Sequence, residues 1–137
     1  MLERFSATLD PDLLKKLDGY LDRHGYQNRS EAVRDLTREA RVKDEWNLGK
    51  EEVMGVISLV YDHHQPGLLA RMTRIQHDSE ALIITTSHIH MDHDNCPEII
   101  IARGTPARVR ALSDKLTTLR GVKSGSLSAT TTGRRIK

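Results

Sequence analysis

The chain has 137 residues, of which 37% are hydrophobic, 29% charged and only 4% aromatic. The formal net charge is +2, and the first 46 residues hold nine Lys/Arg against ten Asp/Glu, so charge alone gives no argument for nucleic acid. No apolar run approaches the ~20 residues of a membrane span and no signal peptide opens the chain, so no membrane association is expected. A single cysteine forms no internal disulfide, and a reducing cytoplasm is the expected compartment. Each half is too short to bury a large core alone, which favours self-association.

"ERFSATLD" alternates, with Phe5, Ala7 and Leu9 on one face and Arg4, Ser6 and Thr8 on the other. This is the period-2 signature of a strand. Nothing nearby can pair with it, so the spacing predicts an antiparallel ribbon made with a second copy of the chain. Asp10 and Pro11 then suit the start of a helix with Leu13, Leu14, Leu17 and Leu21 as its apolar stripe, and Gly25 stops it. Asn28 and Glu31 resemble a capping box for a second helix running from about Arg29 to Trp46. This first unit, residues 1–46, is strand–helix–helix. Polar residues 47–52, "NLGKEE", are expected as a linker.

From residue 53 to 132 the order is strand, helix, two strands, helix, strand. "VMGVISLVYD", "ALIITTSHIHM", "CPEIIIARG" and "VKSGSLSATTT" are the strands. "LLARMTRIQ" and the segment opened by Thr105 and Pro106 are the helices. This βαββαβ pattern is ferredoxin-like, also termed ACT-like. Residues 133–137 are expected as a tail. The fold class is therefore α+β.

The stretch "SHIHMDHDNCPE" concentrates metal-binding residue types. His88 and His90 stand two apart on a strand, so both project from one face. Cys96 opens the next strand after a short turn, which brings a thiol near His90. Three ligands follow from one hairpin. The fourth is open among His93 in the turn, His77 at the end of the preceding helix, and His63 and His64 in an earlier loop. Imidazoles with a thiolate suit Ni(II), Cu(II) or Zn(II), not Mg or Ca. A tetrahedral site would favour zinc and a square-planar one nickel or copper. A closed four-ligand site leaves no position for a substrate, which argues against catalysis. A metal-dependent hydrolase with Glu98 or Asp92 as base would need an open position. Glu98 is better read as orienting a ligand. An antitoxin-like DNA binder is a further alternative, but its partner-binding tail would be disordered rather than folded.

Taken with "RFSATLD", "GYQNRSEAVRDL", "VYDHH", "QHD" and "GVKSG", the chain resembles the nickel-responsive transcriptional regulators, a ribbon-helix-helix family. The resemblance covers nearly the full length. It implies one Ni(II) per chain on His77, His88, His90 and Cys96 in a square plane, with His77 supplied by another subunit. It implies a homotetramer, a dimer of dimers, whose C-terminal domains tetramerise and whose N-terminal ribbons bind palindromic operator half-sites. Arg4, Ser6 and Thr8 would face the major groove, and the helix start at Asn28, Arg29 and Ser30 would meet phosphate. Glu31 and Asp35 match a second cation site, K+ in some members. The implied function is nickel-dependent repression of nickel-uptake genes. Pro97 departs from the family pattern and removes a backbone N–H beside the cysteine.

Overall fold

Contacts within the computed structural model, which describes all 137 residues, divide the chain into two units, Met1–Glu39 and Ala40–Lys137. In the first unit, residues 1–10 carry no regular secondary structure and are exposed. The expected strand at residues 4–8 is therefore not formed by the single chain. A strand is defined by its ladder, and one copy offers these backbone groups no partner. Phe5 is left 71% exposed.

Helix α1, Pro11–His24, begins as its sequence predicts. Asp10 accepts a hydrogen bond from Leu13 N at 2.9 Å, and Pro11 occupies the first turn. Gly25 ends it in the left-handed region at φ 71°, where a side chain would be strained. Helix α2, Arg29–Leu48, is started by Asn28, whose side chain accepts from Glu31 N at 2.9 Å. Arg29 grips Asp18 of α1 through Nε at 2.8 Å and Nη2 at 2.9 Å. That hydrogen-bonded pairing holds the Asp18 carboxyl below its ordinary range. The helix continues past Trp46 through Asn47 and Leu48, so only residues 49–52 of the expected linker are irregular.

The second unit holds β1 Val53–Asp62, α3 Leu68–His77, β2 Leu82–His88, β3 Asn95–Gly104, α4 Pro106–Thr117 and β4 Val122–Thr130. The sheet order is β2-β3-β1-β4, with every neighbouring pair antiparallel. This is the ferredoxin-like arrangement that the element order implies. Burial alternates along β1 and β3, and the register pairs like with like: Ile57 faces Ile100, and Tyr61 faces Cys96. On that buried face lie Leu68 and Met72 of α3 and Val109, Leu112 and Leu116 of α4. Each such aliphatic side chain contributes about 1.5–3 kcal/mol by leaving water. Gly55 leaves room for α4, since a Cβ there would lie 2.6 Å from Val109 Cγ1. Trp46 is buried in this same core and donates Nε1–H to Thr130 O at 2.8 Å. No helix is long and apolar enough to cross a membrane.

Candidate metal centre

The hairpin of β2 and β3 carries the site. His88, His90 and Cys96 converge so that one ligand atom from each lies within 4.8 Å of the others. The strand expected to run to residue 91 ends instead at His88, and His90 follows in irregular chain. Pro97 supplies the reason. Its carbonyl accepts Ile89 N at 2.9 Å, so its side of the backbone points toward β2, but its nitrogen has no hydrogen to return. The β2–β3 ladder stops at His88 and Glu98. The missing N–H thus terminates a strand, and His90 is released to turn toward the thiol. His90 Nδ1 is 3.5 Å from Cys96 Sγ, and the His88 and His90 rings meet edge to face at 4.9 Å.

Cys96 is fully buried while both histidines are exposed. The thiol is therefore fixed in the core face of β3, and the imidazoles close over it from solvent. Behind it, Tyr61 Oη is 2.7 Å from His88 Nδ1. Burial first, then the charges of Glu98 and Cys96 and a hydrogen bond to Glu98, push the Tyr61 phenol well above its ordinary range. Glu98, only 6% exposed, also accepts from Gln76 Nε2 at 3.4 Å. A carboxylate, a phenol and an imidazole thus stand in series. This arrangement fixes the orientation of the His88 ring.

His63 is the surprise. Sequence spacing left it in a remote loop, yet its Nδ1 lies 3.5 Å from Cys96 Sγ. Register is the cause: Tyr61 pairs with Cys96 and Asp62 with Asn95, so the next residue emerges beside the thiol. Among the other candidates, His93 does not join the Cys96 cluster but meets His64 and Asp94. His77 ends α3 in an exposed position and lines a cleft with Thr73, Leu82 and Thr86. It is not one of the three converging residues of this chain. One thiolate with imidazoles at these separations fits a borderline divalent ion such as Ni(II).

The residues expected to meet DNA lie in the first unit. Arg4, Ser6 and Thr8 are exposed on the irregular segment, as are Asn28, Arg29 and Ser30 at the start of α2. The Arg29 guanidinium is engaged by Asp18 and the Glu31 N–H by Asn28. Asp35 accepts from Tyr26 Oη at 3.2 Å and pairs with Arg38 at 3.2 Å.

Residues 54–130 match the family model of the NikR C-terminal nickel-binding domain. A nickel-responsive regulator of Desulfovibrio desulfuricans is 50% identical over 132 residues, covering 96% of this chain and 95% of that one. One from Pyrococcus furiosus is 43% identical over 133 residues, covering 97% and 96%. A solved ACT domain from a GTP pyrophosphokinase of Chlorobium tepidum has a TM-score of 0.49 at 18% identity, covering 57% of this chain and 100% of that one.

Proposed function

Since this chain belongs to the NikR-type nickel-responsive regulators, whose named members are regulators and not enzymes, we propose that it is a nickel-sensing DNA-binding repressor. It would act on nickel-uptake genes from the cytoplasm as a homotetramer. The observation that carries the reading is the convergence of His88, His90 and Cys96 on one hairpin. Nickel, when bound, supplies a multivalent centre that only correctly placed ligands can satisfy.

His88 donates Nδ1–H to Tyr61 and keeps its Nε2 lone pair for the ion. Cys96 is held in place by the core, and His90 turns in over it. His77 of a second copy completes the set. The edge strand β2 favours that contact, because Leu82 and Ile84 are 55% and 50% exposed there and an apolar strand edge is a template for association. A ligand set shared between copies selects one assembly over others by its differential affinity. Glu31 and Asp35 are retained as a second cation position at the start of α2.

In the first unit, two copies of residues 4–8 pair as an antiparallel ribbon. Pairing covers Phe5 and Leu9, which one copy leaves exposed. It turns Arg4, Ser6 and Thr8 outward together, in a form that the major groove admits. The N-terminus of α2, with the Arg29 and Ser30 N–H groups, faces backbone phosphate.

The test is operator binding at fixed salt, with and without one equivalent of nickel, and with zinc as control. Nickel should tighten binding more than zinc does, and Cys96→Ala should remove both the response and the thiolate-to-nickel absorption. Equal DNA affinity with and without nickel would overturn the proposal.

A further inference from the structure

Beside the Cys96 cluster two turns meet, and they hold a second set of metal-ligating side chains. The loop after β1 is fixed by His64 N donating to Asp62 Oδ1 at 2.9 Å and by His63 N donating to Asp94 O at 2.9 Å. The β2–β3 turn is fixed by Asp92 Oδ1, which accepts from Asp94 N at 2.9 Å and Asn95 N at 2.8 Å. The Asn95 side chain also donates Nδ2–H to both Asp92 carboxylate oxygens at 3.0 Å, which closes the turn further. The backbones that carry His64, His93 and Asp94 are therefore set before any ligand arrives.

Their ligand atoms form a near-regular triangle. His64 Nε2 is 3.2 Å from His93 Nδ1 and 3.3 Å from Asp94 Oδ1, and the third side is 3.5 Å. A tetrahedral ion with bonds of about 2.0–2.1 Å spaces its ligands by about 3.3 Å, whereas neighbouring corners of a square plane would be about 2.9 Å apart. The triangle has the dimensions of one face of a tetrahedron. Two imidazole nitrogens this close either share one proton or aim both lone pairs at a cation. None of the three residues belongs to the Cys96 cluster.

We propose that His64, His93 and Asp94 form a second, outer site for a borderline divalent cation of the zinc or cobalt class, with its fourth position open to water. Two imidazoles with one carboxylate disfavour Mg and Ca, which take oxygen ligands. The site differs from the first in lacking sulfur and in being solvent-exposed, the side chains being 51%, 86% and 69% exposed. It binds more weakly, and it selects tetrahedral ions where a square-planar site does not. An ion here ties the loop that carries His63 to the turn that precedes Cys96, and so stiffens the rim of the first site.

The experiment loads the full chain with one equivalent of nickel and then titrates Co(II), following its ligand-field absorption. A second equivalent with intense tetrahedral bands is expected, while the thiolate-to-nickel band stays unchanged. His93→Ala and His64→Ala should each lose the cobalt equivalent and keep the nickel one. Both side chains are largely exposed, and matching circular dichroism of the metal-free variants checks that the fold is intact. Repeating the titration in Cys96→Ala isolates the outer site, so a failure of the nickel reading does not mask the result. No second equivalent, a weak octahedral spectrum, or a cobalt equivalent that survives in both histidine variants would overturn the proposal.

Discussion

Tyr61→Phe removes one oxygen from the core and tests whether the proposed nickel site depends on the groups behind it. The ring is fully buried, so phenylalanine keeps the packing against β3. What is lost is the 2.7 Å contact to His88 Nδ1 and the phenol's link to Glu98. His88 is exposed, so water can replace the partner of its Nδ1–H, but water does not fix the ring's orientation or tautomer. Removing such a supporting group typically lowers metal affinity about 10–100-fold, or about 1.4–2.7 kcal/mol. The hydrogen bond's net contribution to stability is smaller, about 0.5–1.5 kcal/mol. Affinity should therefore fall more than stability. Chelator competition, read through the thiolate-to-nickel absorption, gives the first quantity, and chemical denaturation of the metal-free chain gives the second. Nickel affinity within twofold of the unsubstituted protein would refute the orienting role. Loss of stability with unchanged affinity would assign Tyr61 to packing alone.

His77→Ala should separate binding from response: three ligands on the hairpin still hold nickel, more weakly, while the ratio of DNA affinities with and without nickel falls toward one. A full ratio in that variant sinks the role of His77 and moves attention to His63, which already lies against the thiol. Arg4→Ala should cost about 1–3 kcal/mol at the operator and relax sequence preference. Uniform weakening across all sequences in a binding-site selection would instead make Arg4 a phosphate contact. Gly55→Ala should destabilise the second unit by about 1–2 kcal/mol, because overpacking costs about 1–3 kcal/mol and removing a strand glycine returns part of it. The new Cβ would meet Val109 Cγ1 at 2.6 Å and Leu127 Cδ1 at 2.9 Å. An unchanged or raised midpoint in thermal unfolding contradicts that.

Much of the local structure is written in the sequence because its causes are local. Asp10, Pro11 and Gly25 bound α1 by satisfying or freeing backbone groups within a few residues. Runs of β-branched and apolar residues, "VISLV" and "IIIA", mark β1 and β3, whereas the alternation of burial along them appears only in the folded sheet. The trio of His88, His90 and Cys96 was legible too, since a hairpin brings its two arms together whatever the rest does. What lay beyond reach depends on register and on neighbours far along the chain. Nothing near Tyr61 says that it will face Cys96, and nothing near His63 says that it will touch the thiol; the β1–β3 pairing decides both. The same pairing carries His64 to the turn that holds His93 and Asp94. Pro97 announced a missing N–H, but only the sheet showed that the gap points toward β2 and ends it at His88. Residues 1–10 mark the opposite limit. Their alternation is plain in the sequence, yet a ladder needs a second strand, and one copy of the chain does not contain it.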